Sequence, residues 1–139
     1  MTAKPAAKQT GKTSSKQSSK LHQQRLGFVH ALNRMDAAWM DFLKDVDFLD
    51  INYSDLFTGL WLAGRPVRKQ EAVEFMHHLG PQTAKKYLDR AISKGRVVEV
   101  VDPEDRRARL IQLSPALQGD LEAFFDHAVT LFTETLKPA

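Results

Sequence analysis

Apolar residues in the first part of the chain recur at the spacing of a helix. From residue 21 to about residue 46 they follow one another at intervals of three and four, which predicts one long helix with a single apolar seam. The seam consists of Phe28, Leu32, Met35, Trp39, Phe42 and Val46. Because a seam of this length exceeds what a small monomer can bury, we expect it to pack against another helix or another chain.

The middle of the chain predicts three shorter helices, each of which carries a signal for its beginning or its end. Ser54 is a plausible N-cap for the first, and Pro81 suits the first position of the third. Gly95 suits the left-handed residue that follows the end of the third helix. The three helices are expected over residues 52–62, 68–77 and 82–94.

Two β-branched, apolar segments follow, over residues 96–101 and 109–113. They predict the strands of a hairpin, and the polar segment between them predicts its loop. Ser114 and Pro115 then have the N-cap and first-turn chemistry that opens a final helix, which we expect to end near residue 136. The pattern predicts a mainly α protein with a small β-hairpin.

Charge is distributed unevenly along the chain. The whole sequence has 20 basic and 17 acidic side chains, a net charge of +3, yet residues 1–20 hold five lysines and no acid. These residues contain no large apolar side chain after Met1, so we expect them to form a disordered tail. Residues 65–109 contain 11 basic and 7 acidic side chains, a local charge of +4, whereas residues 21–139 as a whole carry −2.

Several classes of chemistry lack the residues that they need. The absence of cysteine excludes disulfides, thiolate zinc sites and cysteine nucleophiles. No nucleophile–base pair, phosphate-binding loop or carboxylate pair stands out, so we predict no enzyme activity, no cofactor and no metal. A zinc site that joins His30 and His127 is the alternative, although no ligand spacing supports it.

No apolar run is long enough to cross a membrane, and a cytoplasmic protein without membrane partners is expected.

Four segments follow one another in a characteristic order and spacing. They are residues 81–90, Lys94-Gly95-Arg96-Val97, the loop Asp102-Pro103-Glu104-Asp105-Arg106-Arg107-Ala108-Arg109-Leu110, and Leu113-Ser114-Pro115. In these segments the chain resembles the multiple-antibiotic-resistance-regulator (MarR) family of bacterial transcription factors. It departs from that family at four positions. His78 falls where the turn usually has glycine, Gly80 where a serine or threonine cap is usual, and Glu74 where a small apolar residue is usual. Leu117 replaces a glycine that is frequent at the opening of the last helix.

The resemblance implies a winged helix-turn-helix with long N- and C-terminal dimerisation helices. On that basis residues 1–20 form the tail and residues 21–139 form a MarR-like winged-helix domain. Its DNA-binding lobe is expected over about residues 54–114. The dimerisation helices are expected over about residues 21–48 and 115–136.

A helix of this kind inserts its N-terminal half in the major groove of DNA, and arginines at a hairpin tip reach the minor groove. We expect Asp105 to orient a neighbouring arginine. The candidate DNA-binding residues are Gln82, Thr83, Lys85, Lys86, Arg90, Arg106, Arg107 and Arg109.

The expected function is therefore a sequence-specific, dimeric regulator of transcription, and the resemblance implies repression. Its partners are double-stranded DNA, a second copy of the chain and an effector of unknown identity, if one exists. Two alternatives remain open. One is a winged-helix module that binds proteins, and the other is a non-specific, nucleoid-type DNA binder led by its lysine tail.

Overall fold

A computed structural model describes residues 12–135, with side chains from residue 15 onwards. The described chain divides into two compact units. We call residues 12–37 and 127–135 the terminal-helix unit and residues 38–126 the central unit. The part of the predicted tail that precedes residue 12 lies outside the described residues.

Helix α1 spans Lys12–Leu43 and therefore begins earlier than the apolar pattern indicates. In place of the disordered tail expected up to residue 20, residues 12–20 continue the helix, and their described side chains are exposed. Lysine and glutamine favour helical backbone, and adding a residue to an existing helix costs far less than nucleating a new one. The apolar pattern cannot detect such an extension because the side chains described in it, from residue 15 onwards, are all exposed.

The end of α1 also differs from the prediction. The helix stops at Leu43, because Lys44 takes a left-handed backbone with φ 60°. A short 3₁₀ helix, Val46–Phe48, follows, and Asp45 caps it by accepting a hydrogen bond from the N–H of Asp47. Val46 was predicted to extend the apolar seam, but it is 79% exposed. Phe48 is the buried residue of this segment.

Helix α2 spans Ile51–Ala63, and its N-cap is Asp50 rather than the expected Ser54. The carboxylate of Asp50 accepts the N–H of Asn52 at 2.8 Å. Ser54 lies inside the helix, where its carbonyl accepts the hydroxyl of Thr58. Gly64, with φ 65°, ends the helix in the left-handed conformation that glycine adopts readily.

Helices α3 (Lys69–Phe75) and α4 (Pro81–Ser93) are joined by a tight turn in which the N–H of Leu79 donates to the carbonyl of Met76. Positive φ angles in the described chain occur at Lys44, Gly64 and Gly95, so His78 forms the turn without needing the conformation that favours glycine. Gly80 takes the N-cap position of α4 without a side-chain bond. Glu74, at the position where the family usually has a small apolar residue, is exposed and accepts a hydrogen bond from Gln70.

The sheet has three antiparallel strands in the order β1-β3-β2. Strands β2 (Val97–Val101) and β3 (Arg109–Leu113) form the predicted hairpin, and β1 (Val67–Arg68) pairs with β3 through Val67 and Ile111. Helix α5 spans Pro115–Thr135 and is capped by Ser114, whose hydroxyl accepts the N–H of Leu117 at 3.0 Å.

The core of the central unit is formed by apolar side chains from every element that the unit contains. Its largest fully buried side chains include Tyr53, Phe57, Met76, Leu88 and Leu121. Because α2, α3, α4 and the sheet all contribute to this core, α4 and the hairpin are held on one rigid support. The mainly α fold with a small antiparallel sheet is confirmed.

The terminal-helix unit pairs part of α1 with the end of α5. The rings of Phe28 and Phe132 lie 5.7 Å apart, and Ala31 is buried. Four other apolar side chains of this unit are at least two-fifths exposed: Leu21, Leu26, Val29 and Val129. Within the described part of the chain, no helix is long and apolar enough to cross a membrane.

Candidate nucleic-acid interface

Helix α4 separates an apolar face from a polar one. Ala84, Leu88 and Ala91 are buried in the core, and their spacing of four and three residues puts them on one side of the helix. The predicted DNA-binding residues of this helix are all exposed: Gln82, Thr83, Lys85, Lys86 and Arg90. The fold therefore presents these five side chains to solvent on a helix whose opposite face is buried in the core.

The C-terminal half of α4 is bound to the acidic segment that follows α1. Arg90 forms an ion pair with Asp47 at 3.8 Å, and Lys94 forms one with Asp45 at 3.3 Å. All four side chains remain at least one quarter exposed, so each pair contributes little to stability. Their consequence is electrostatic, because Arg90 of α4 and Lys94, the residue that follows the helix, already face carboxylates of the same chain.

Two tyrosines fix the position of α4 against α2. The hydroxyl of Tyr87 donates to Asp50 Oδ2 at 2.7 Å, and the hydroxyl of Tyr53 donates to the carbonyl of Tyr87 at 3.0 Å. The two rings stack with their centroids 4.8 Å apart. Burial raises the pKa of Tyr53 to about 12, and the hydrogen bond to Asp50 raises the pKa of Tyr87. Both hydroxyls therefore stay protonated and donating at neutral pH.

The N-terminal half of α4 is free of such contacts. Within the described chain, the side chains of Gln82, Thr83, Lys85 and Lys86 form no ion pair and no hydrogen bond with protein groups. Their donors and acceptors are therefore available to a ligand. The glutamine amide and the lysine ammonium groups are suited to base edges and phosphate oxygens, respectively.

The hairpin loop, residues 102–108, is organised by its own acidic residues. Asp102 accepts the N–H of Glu104 at 2.9 Å, and Asp105 accepts the N–H of Arg107 at 3.1 Å. Asp105 was expected to orient a neighbouring arginine, and its carboxylate contacts Arg107 through the backbone N–H of that residue. This contact shapes the turn instead of fixing a guanidinium group.

The three predicted arginines of the hairpin have different surroundings. Arg109 donates to the carbonyls of Arg106 and Ala108, at 3.2 and 3.3 Å, and so folds back on its own loop. Arg106 and Arg107 are exposed, and in the described chain their guanidinium groups have neither an ion pair nor a hydrogen bond. Two arginines are thus available at the tip, while the third supports it.

Arg68 is an exposed cation near the hairpin that the sequence patterns did not single out. It lies on β1 opposite Leu110, so the sheet places it in the strand next to Arg109. Neighbouring charges are paired, since Arg65 binds Glu71 at 2.9 Å and Lys69 binds Glu99 at 3.0 Å. A two-residue strand has no periodicity to detect, and Pro66, the residue before it, was the weak signal available.

The histidines do not gather as the zinc alternative required. His30 and His127 are both exposed, and neither belongs to a group of three possible metal ligands within the described residues. The group that does form consists of Asp55, His77 and His78 in the central unit.

Helix α3, the turn, helix α4 and the β2–β3 hairpin together form a winged helix-turn-helix. Among solved structures, the chain is similar to transcriptional regulator Tm0710 from Thermotoga maritima, with 17% sequence identity, a TM-score of 0.54, and coverage of 80% of this chain and 78% of that one. This likeness confirms the winged helix-turn-helix fold that the sequence resemblance implies.

Two further structures are similar at lower TM-scores. The reduced form of MarR from E. coli is 19% identical with a TM-score of 0.49, and the match covers 81% of this chain and 83% of that one. A probable transcriptional regulator from Pseudomonas aeruginosa is 22% identical with a TM-score of 0.48, and the match covers 81% of each chain. No protein-family model and no curated protein matches the sequence.

Proposed function

We propose that the protein is a sequence-specific, double-stranded DNA-binding regulator of transcription. The observation that carries this proposal is that two sets of polar side chains without protein partners are held by the same core of the central unit. The first is the exposed N-terminal half of α4, and the second is the Arg106-Arg107 tip of the hairpin. The winged helix-turn-helix fold and the local charge of +4 over residues 65–109 support the same conclusion.

In this proposal the N-terminal half of α4 enters the major groove, which displays a distinct pattern of donors and acceptors for each base pair. Gln82 is suited to adenine, and Lys85 and Lys86 to guanine or phosphate. Thr83 and Arg90 contact the flanking backbone, and Arg90 must leave Asp47 to do so. Arg106 and Arg107 reach the minor groove, while Arg109 keeps the loop in shape and adds its charge.

The terminal-helix unit supports the proposal of a homodimer. Its partly exposed apolar side chains leave a surface that a second copy can cover, and a two-fold axis would make that surface self-complementary. Two copies of α4 would then read half-sites about one helical turn of DNA apart. We assign DNA binding to about residues 54–114 and dimerisation to about residues 21–48 and 115–136. Repression would result from occupancy of a promoter by the dimer.

Selection of bound duplexes from a random DNA pool tests this function. The expected result is a palindromic site that is bound about 1,000-fold or more tightly than its scrambled version at equal salt. Binding that never distinguishes the selected site from scrambled duplex would contradict specific regulation and favour the non-specific binder. Absence of DNA binding even at low salt would favour the protein-interaction module.

A further inference from the structure

Three side chains with metal-binding chemistry meet outside the proposed DNA contacts. Asp55 lies in α2 and is half-buried, whereas His77 and His78 are exposed in the turn between α3 and α4. One ligand atom from each residue lies within 4.8 Å of the other two. The three residues come from two segments that are about twenty positions apart in the sequence, so the fold creates the group.

A close approach between α2 and α3 explains why the group forms. Gly59 follows Asp55 by one helical turn on the same face of α2. A side-chain carbon at Gly59 would fall 2.6 Å from Cγ of the Phe75 ring. The end of α3 therefore lies directly against this face of α2, and the chain turns there. His77 and His78, the second and third residues after Phe75, are delivered beside Asp55.

His77 makes a contact with the backbone that is common among metal-ligating histidines. His77 Nδ1 lies 3.3 Å from the carbonyl of Phe75. A carbonyl oxygen only accepts hydrogen bonds, so the neutral tautomer that satisfies this contact has its proton on Nδ1 and its lone pair on Nε2. A backbone carbonyl that holds the second nitrogen of a ligating histidine is a common feature of metal sites. The rings of His77 and His78 lie close together, with centroids 4.2 Å apart.

We propose that Asp55, His77 and His78 form a binding site for a divalent transition-metal ion of the Zn²⁺ type. Two imidazoles and one carboxylate are a donor set that such ions accept, and the fourth position is left to water. In a tetrahedral site with bonds of about 2.0–2.2 Å, neighbouring ligand atoms lie roughly 3.4 Å apart. The exposed histidine side chains can rotate to close the present separation without disturbing the core.

Metal binding would join α2 to the turn that leads directly into α4. The turn ends at Gly80, the N-cap of α4, so a bound ion adds a link between the support and the N-terminal end of the exposed helix. The site itself is independent of DNA binding. It therefore stands or falls separately from the proposed function.

The test consists of two titrations of tag-free, metal-free protein. Binding of Zn²⁺ is measured by calorimetry, and binding of Co²⁺ is measured by the visible absorption of four-coordinate cobalt. The wild type is expected to bind one ion per chain at this site. His77→Ala, His78→Ala and Asp55→Asn are each expected to weaken binding about tenfold or more and to reduce the cobalt band. His30→Ala and His127→Ala are the matched controls, and both are expected to bind as the wild type does.

Circular dichroism of each variant keeps the comparison independent of folding, and the three affected residues are not in the fully buried core. Wild-type protein that binds no ion would overturn the proposal. Equal affinity in the wild type and in the Asp55, His77 and His78 variants would overturn it too, as would an equal loss in the control variants. DNA binding does not enter any of these measurements, so a failed regulator proposal leaves the result intact.

Discussion

The hydroxyl of Tyr87 donates to the carboxylate of Asp50 across a distance of 2.7 Å. The same carboxylate caps α2 by accepting the N–H of Asn52, so one acidic side chain ends one helix and holds another. The backbone N–H of Asn52 and then the hydroxyl of Tyr87 lower the pKa of Asp50 below its ordinary value of 3.8. The orientation of α4 therefore depends in part on an ionised carboxylate.

Asp50→Asn is expected to lower the free energy of unfolding at neutral pH by about 1 kcal/mol, because a charged acceptor becomes a neutral one. A carboxyl group whose pKa is lowered in the folded state stabilises the fold above its unfolded pKa and loses that effect as the pH falls. The difference between variant and wild type should therefore shrink below pH 3.8. Urea unfolding at several pH values measures it, with the exposed Asp41→Asn as the control. A difference that stays constant with pH would contradict this role of the charge.

Replacement of Arg106 and Arg107 by alanine is expected to weaken DNA binding and to leave the midpoint of thermal unfolding nearly unchanged. Both side chains are exposed and unpartnered in the described structure, so nothing in the fold depends on them. Fluorescence anisotropy with a labelled duplex should show the slope of log affinity against log salt falling by about 0.9 for each phosphate that the variant no longer neutralises. Arg34→Ala, in the terminal-helix unit, is the control. Retained affinity in the double variant would remove the hairpin tip from the interface.

Asp47→Asn is expected to strengthen DNA binding, because it removes the carboxylate that now faces Arg90 at 3.8 Å.

Lys85→Ala and Lys86→Ala should weaken binding more than Arg90→Ala does, since the lysines are unpaired in the described structure and Arg90 already has an ion pair with Asp47. Affinities for one duplex at one salt concentration give the ranking. An Arg90 variant that loses more affinity than either lysine variant would show that its ion pair with Asp47 does not compete with DNA.

Gly59→Ala is expected to destabilise the central unit by about 1–3 kcal/mol, the usual cost of adding a carbon to a filled space. The new atom would fall 2.6 Å from the Phe75 ring. Gly119→Ala is the matched control, since this glycine of α5 has no atom within 4 Å of the added carbon. Its replacement should raise stability by up to about 1 kcal/mol through helix propensity. Unfolding by urea compares the two, and equal effects would contradict the tight contact between α2 and α3.

Val129→Asp is expected to shift the protein from dimer to monomer in sedimentation experiments without loss of helical content. The side chain is 65% exposed, so its replacement disturbs little within one chain and disrupts an apolar surface proposed to face another. Leu62→Asp makes the same chemical change at a position in α2 that is 76% exposed, and should leave the dimer intact. Dissociation of both variants to the same extent would contradict the assignment of dimerisation to the terminal-helix unit.

The sequence was most informative where the chemistry of neighbouring residues determines the backbone conformation. Ser114, Pro115 and Gly95 marked the ends of helices correctly, because capping and left-handed backbone depend on a few neighbouring atoms. Strand β3 was also located correctly, from its β-branched and apolar residues. The N-cap of α2 was misplaced because Asp50, Ser54 and other residues all have capping side chains, and packing selects among them.

Features that depend on distant residues were beyond the sequence. The pairing of β1 with β3 joins segments that are more than forty positions apart, and no periodicity marks it. Likewise, the pattern treats Arg106 and Arg109 alike, although only the folded loop shows that Arg109 binds its carbonyls. The group of Asp55, His77 and His78 has no spacing of its own, since a contact between two helices brings it together.

The ion pair between Arg90 and Asp47 has a thermodynamic consequence for any encounter with a polyanion. A cation that exchanges a carboxylate for a phosphate keeps a charged partner throughout, so little new charge is neutralised. Such a contact releases fewer counterions in total than one made by an unpaired lysine. Affinity gained through the C-terminal half of α4 would therefore persist as ionic strength rises, whereas affinity gained through its N-terminal half would decay.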